Sequence, residues 1–187
     1  MQAGDNRLEV PQGSFSLSRL PTRKKELLRA WDAADEYLLN ILAEQSKLSK
    51  DSRILIVNDS FGALAVALSR YHPQSLSDSW LCHAATRINL QANAIDADAV
   101  TLFDSLSLPQ GPVDLLLIKV PKTLALLGDE LIRLAPLLTE ATQVIVAGMV
   151  KGLPPSVWPL LGRLGGPTST SPAKKKAERC FVTPPPI

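Results

Sequence analysis

Residues 53–68 read RILIVNDSFGALAVAL. Four apolar residues, Ile54 to Val57, give way at once to a polar turn and then to a run of small residues suited to a helix. This is the pattern of a first strand–turn–helix unit in a ligand-binding α/β sheet. It constrains the rest of the chain, because a strand apolar at every position must be buried on both faces. Ligand-binding versions of the unit carry several glycines, which let the backbone approach a ligand closely. Here the turn is Asn58-Asp59-Ser60-Phe61-Gly62. One glycine remains, and Phe61 puts a ring where bare backbone is needed. The shape of a binding domain is there, while its means of binding is depleted.

The chain around this unit alternates strand and helix. Strands are expected at 53–57, 75–77, 100–103, 113–119 and 142–147. Helices are expected at 62–71, at 79–93 with Ser79 as cap, after Pro121, and at 154–164 behind Pro154 and Pro155. Residues 168–171 and 177–182 flank a Lys-rich turn and read as a closing hairpin. Before the first strand, Thr22 can cap a helix running to about Ser46. Leu27, Trp31, Ala34, Leu38 and Ile41 give that helix an apolar stripe. Asp32, Asp35 and Glu36 lie off the stripe, which predicts an exposed surface for them. Residues 1–21 read as an irregular arm broken by Pro11, Gly13 and Pro21. The domain proper spans 22–183, and 184–187 read as the start of a linker. The expected fold is α/β, a seven-stranded and mostly parallel sheet ending in an antiparallel hairpin.

Composition narrows the function classes. The 187 residues suit one well-buried domain. No apolar run approaches membrane-spanning length, and the N-terminus lacks a signal-peptide core, so a cytoplasmic protein is expected. Cys82 and Cys180 have no metal-type spacing and read as reduced thiols. Charge is uneven. Residues 151–187 hold six basic side chains against the single Glu178, a net of +5, while the other residues carry 14 basic and 17 acidic groups. Such a basic end suits phosphate; the alternative is a solvated Lys-rich turn.

Four segments go beyond a generic α/β pattern: AWDAADEYLL (30–39), NDSFGALAVAL (58–68), TRINLQANAID (86–96) and LLIKVPKTLALL (116–127). With them the chain resembles the N-terminal half of the bacterial ribosomal RNA guanine-N2 methyltransferases, their large-subunit branch in particular. The resemblance covers about residues 14–185. It implies a class I methyltransferase-like, Rossmann-like fold with a degenerate cofactor site. The resembling enzymes join two such domains. The C-terminal one binds S-adenosylmethionine and carries an Asn-Pro-Pro-Phe motif, while the N-terminal one helps recognise RNA and supports its partner. The implied partners of this chain are ribosomal RNA and a covalently linked catalytic domain.

Residue by residue, the reading separates vestige from replacement. Asn58, Asp59 and Gly62 occupy the cofactor turn. Asp78 stands where an acid would hold ribose hydroxyls, and Asp104 where the adenine would lie. Both are vestigial cofactor positions, and both also suit plain turn capping. Against Asn-Pro-Pro-Phe, the chain has Lys119-Val120-Pro121-Lys122. Lys119 replaces a hydrogen-bond acceptor with a group that only donates, and Lys122 replaces the stacking ring. Amino-group methylation by the family's route is therefore excluded here, and no catalytic residue is assigned; the alternatives are an autonomous S-adenosylmethionine methyltransferase domain and a purely structural domain that buttresses the catalytic half. Lys119, Lys122, Lys174, Lys175, Lys176 and Arg179 are the candidate nucleic-acid contacts. His72 and His83 read as structural. Of Trp31, Trp80 and Trp158, the last is the best candidate for stacking on a base.

Overall fold

The computed structural model describes residues 6–21, 28–45, 48–121, 123–149, 168–170 and 177–182. The chain opens with a hairpin of β1 (Arg7–Val10) and β2 (Gly13–Ser16). Then come α1 (Ala33–Gln45), β3 (Ile54–Val57), α2 (Ala63–Ala67), β4 (Gln74–Leu76), α3 (Trp80–Ala92) and β5 (Thr101–Phe103). The second half supplies β6 (Leu115–Lys119), α4 (Leu124–Leu134), β7 (Gln143–Met149), β8 (Thr168–Thr170) and β9 (Ala177–Val182).

Strands β3 to β9 form one sheet in the order β5-β4-β3-β6-β7-β9-β8. The first five run parallel, and β9 pairs antiparallel with both β7 and β8. The expected mostly parallel sheet with a terminal hairpin is what forms. β3 and β6 sit at its centre, and every residue of both is buried. Side chains alternate across the pleat. Ile54, Ile56, Leu115 and Leu117 join a core built with α1, α2 and α3, while Leu55, Val57, Leu116 and Ile118 face α4.

Two expectations at the N-terminus change. Residues 7–16 form a hairpin rather than an irregular arm, with Leu8 and Leu17 fully buried. Asn89 on α3 and Asn93 at its C-terminal cap hold it down. Asn93 Oδ1 accepts from Ser16 N and its Nδ2 donates to Ser16 O, and Asn89 does the same for Ser18. Each side-chain amide thus stands in for a strand partner and pairs both backbone groups of one residue. The second change concerns α1, which begins at Ala33. Its first turn is closed by two aspartates: Asp32 Oδ1 accepts from Ala34 N and Asp35 N, and Asp35 Oδ2 accepts from Asp32 N. Such a reciprocal pair is a strong helix-start signal. Thr22 and the expected helix at 154–164 lie outside the described residues.

Candidate functional site

Ligands of open α/β sheets bind outside the carboxyl ends of the strands, where the strand order reverses. In this sheet that point lies between β3 and β6. The turn after β3 keeps its tight geometry without most of its glycines. Asn58 has φ +65°, a left-handed conformation that asparagine tolerates better than most residues, and Gly62 has φ +88°. Gly62 is needed for a second reason. A Cβ there would lie 2.6 Å from Thr86 Oγ1 and 2.8 Å from Thr86 Cα, so glycine lets α2 pack against α3. The remaining glycine serves packing. Where a ligand would need bare backbone, the chain has exposed Ser60 and half-buried Phe61.

The chain's own side chains fill this edge. The first turn of α2 offers N–H groups that an anion could take. The Asp59 carboxylate takes them, accepting from Leu64 N at 3.3 Å and Ala65 N at 2.9 Å. Asp59 is 2% exposed, and burial raises its pKa although the two N–H groups and Lys119 oppose the shift. Lys119 ends β6 and is 6% exposed. Its Nζ lies 3.0 Å from Asp32 Oδ2 and 3.4 Å from Ser60 Oγ. It is also 3.0 Å from Asp35 Oδ1, as an ion pair without good hydrogen-bond geometry. Asp35 is fully buried on α1, and burial pushes it up to about 7 against the pull of Lys119. The carboxylates hold the lysine firmly in its charged form. Burial is the main cause at Asp35, and the neighbouring carboxylates of Asp32 and Asp59 add to it.

On the α4 side, Asn58 Nδ2 donates to Lys119 O and to Glu130 Oε1, at 3.2 and 2.9 Å. Burial pushes Glu130 up to about 7. Cys82, free and buried, donates to the Asp59 carbonyl, and burial drives its thiol up to about 12. It is inert as a nucleophile.

The placement corrects several expectations. Lys119 was expected to meet phosphate, but its charge is enclosed and shared among the chain's own carboxylates. Asp32, Asp35 and Glu36 were expected on an exposed surface. Asp35 is wholly buried, and Glu36 accepts from Trp31 Nε1. Trp31 belongs to the core, whereas Trp80 is 75% exposed. Asp78 is exposed. Asp104 is exposed too and caps its own turn, accepting from Leu106 N. His83 is structural, its Nε2 2.8 Å from Phe103 O. His72 is exposed at the end of a short helical turn. Lys122, Lys174, Lys175, Lys176 and Trp158 lie outside the described residues, as do the side chains of Arg179 and Cys180. The Arg179 backbone pairs with Ala147.

Asp35, Glu130 and Asn89 were missed. A signal existed for the first: Asp35, Leu38, Leu39 and Leu42 recur at i, i+3, i+4 and i+7, all on the buried face.

Comparison with known proteins agrees with this architecture. A solved T. thermophilus 16S rRNA N2 methyltransferase, in complex with AdoMet and guanosine, superposes with a TM-score of 0.61 at 16% identity, over 95% of this chain and 44% of the other. A ribosomal protein L11 methylase from Lactobacillus delbrueckii gives 0.64 at 17% identity, over 89% of each. At these identities the likeness speaks for the class I methyltransferase fold alone. Sequence relatives are nearer. The ribosomal RNA large subunit methyltransferase G of Streptomyces griseus is 45% identical over 97% of this chain and 48% of its own length. That of Ectopseudomonas mendocina is 48% identical over 94% and 47%. The chain thus spans about half the length of the curated relatives it matches. Residues 5–186 match the family described as RLMG N-terminal domain, and the chain belongs to that family.

Proposed function

We propose that this chain is the non-catalytic, RNA-recognising and supporting half of a ribosomal RNA (guanine-N2)-methyltransferase. In this reading a covalently linked second half binds S-adenosylmethionine and performs the methyl transfer, and the protein acts in the cytoplasm on large-subunit ribosomal RNA. The observation that carries the reading is the filled edge between β3 and β6. Asp59 occupies the α2 N–H groups, and Lys119 stands where the resembling enzymes place an acceptor. A lysine cannot accept a hydrogen bond from a base amino group, and its charge repels a sulfonium. The length of the curated relatives supports a second half, and no described helix is long and apolar enough to cross a membrane. Asn58, Asp59, Gly62, Asp78 and Asp104 are then vestiges of a cofactor site. Lys122, Lys174, Lys175, Lys176 and Arg179 are proposed phosphate contacts.

The test is a thermal melt of the chain with millimolar S-adenosylmethionine. A ligand at about 100 times its dissociation constant would add roughly 2.7 kcal/mol. No shift is expected. A rise of several degrees that Asp78→Ala abolishes would restore a working cofactor site and overturn the reading. A titration of the chain with single-stranded ribosomal RNA fragments tests the other part, and salt-dependent binding is expected.

A further inference from the structure

The sheet has a second edge, at the amino ends of its parallel strands, and its last strand finishes there. β9 runs antiparallel to β7, with Val182 opposite Val144. The next position of the chain therefore falls beside Gln143. Gln143 is a wall of an open groove of about 810 Å³. The groove crosses three strands. The turn before β3 contributes Leu48 and Asp51, the start of β6 contributes Asp114 and Leu115, and the entry to β7 contributes Ala141 and Gln143. Leu115 is buried, Leu48 half-buried and Ala141 exposed. The backbone along the groove is already paired, Leu115 N donating to Arg53 O and Gln143 N to Asp114 O. Asp114 Oδ2 accepts from Arg53 N at 2.8 Å, and Asp51 stands in solvent. The groove thus asks an occupant for apolar cover rather than for strand bonds or a cation.

Residues 183–187, which lie outside the described residues, read Thr-Pro-Pro-Pro-Ile. Prolines carry no N–H to be left unpaired, and a run of them favours an extended helix that loses little entropy on docking. At about 3.1 Å per residue, five residues of that helix reach about 15 Å. Three strand spacings, from β9 across β7 and β6 to β3, come to about 14 Å. The segment is therefore long enough to follow the whole groove. The match to the RLMG N-terminal domain runs to residue 186, so the family's domain takes in the prolines. We infer that residues 183–187 lie along this groove, with Ile187 at its Leu48 end, and that the linked second half is tethered there, across the sheet from the filled edge. The tether rests on the proposed two-domain reading, while the seating of the segment does not.

The experiment uses the 187-residue chain alone, without RNA or cofactor. Ending the chain at Val182 should lower its melting temperature by about 2–4 °C. Ala141→Arg places a long side chain in the groove from an exposed position. It should lower the melting temperature of the 187-residue chain by a similar amount and leave that of the shortened chain unchanged, because both changes remove the same contacts. Methyl-labelled NMR gives a reading that does not depend on the shortened chain. Contacts between the methyl groups of Ile187 and Leu48 are expected, and Ala141→Arg should abolish them. If the shortened chain fails to fold, these contacts carry the test. Their absence from the 187-residue chain, or an Ala141→Arg effect of equal size in both chains, would overturn the inference and leave the proposed function standing. A failed RNA titration would overturn the RNA-binding reading without moving either of these readouts.

Discussion

Replacing Lys119 by methionine removes the one cation that Asp32, Asp35 and Asp59 share. The consequence should depend on pH in a way that follows from the burial of Asp35. Its pKa rises from an ordinary 3.8 to about 7 even with the lysine present. The folded protein therefore holds a proton that the unfolded chain releases, and stability falls as pH rises from about 4 to about 7. The decline approaches 1.4 kcal/mol per pH unit. Above 7 the wild-type residue is ionised and its contribution levels off. In Lys119→Met the attraction that lowered the pKa is gone, so Asp35 keeps its proton to higher pH and the decline continues. The penalty of the substitution should thus grow above pH 7 by up to about 1.4 kcal/mol per unit, or roughly 3 kcal/mol between pH 7 and 9. Beneath this lies a pH-independent loss, from the ion pair with Asp32. The total at pH 9 should reach about 3–5 kcal/mol, the usual cost of breaking a buried pair from one side. Lys119 itself stays charged through this range. The assay is urea unfolding of both proteins at pH 6, 7.5 and 9. A penalty that does not change with pH would show that Asp35 and Lys119 are uncoupled. A penalty below about 1 kcal/mol throughout would class the cluster with surface ion pairs.

Other perturbations have separate readouts. Gly62→Ala brings a Cβ against the Thr86 backbone at a positive φ, so a loss of about 2–4 kcal/mol in urea unfolding is expected; retained stability would refute the packing role. Glu130→Gln keeps an acceptor for Asn58 and removes an acid that burial holds at about 7. It should be about 1 kcal/mol more stable than wild type at pH 8, with a flatter profile between pH 4.5 and 7, and a variant less stable at pH 8 would contradict this. Asn89→Leu should release the Ser18 backbone, seen as faster amide exchange at Ser18 but not at Ser16, which Asn93 holds, with a loss of about 2–3 kcal/mol. Lys174/Lys175/Lys176→Ala in the proposed two-domain enzyme should raise the KM for protein-free ribosomal RNA with little change in kcat; an unchanged KM would return these lysines to a solvated turn.

The parallel core was legible because its signal is local and strong. Ile54–Val57 and Leu115–Ile118 are apolar at every position, which only a strand covered on both faces requires. Ser79 was legible as a cap because its role needs nothing beyond Cys82 N, three residues on. The N-terminal hairpin was hidden by its dependence on distant groups. Asn89 and Asn93, more than seventy residues away, complete its hydrogen bonds, and no window of sequence shows that pairing. Lys119 was readable as a donor where the resembling motif has an acceptor, since that follows from the chemistry of an ammonium. Its destination was not readable, because Asp32 and Asp35 come from a helix more than eighty residues earlier.

The turn after β3 meets the needs of the fold and leaves those of a ligand unmet. Two demands fall on such a turn, one from the chain and one from a ligand. The chain needs backbone conformations with positive φ and room for one helix to lie on another. Asn58 and Gly62 meet those needs. The ligand needs open backbone and unclaimed N–H groups, and these are what the turn lacks. Emptying a ligand site leaves donors and carboxylates that must still be satisfied, because buried polar groups without partners are costly. Asp59 on the α2 N–H groups and Lys119 among its carboxylates supply those partners from within. The same bonds that keep the fold intact thereby occupy this edge of the sheet. This is why Lys119, at the carboxyl end of β6, is expected to act on stability and on its pH dependence.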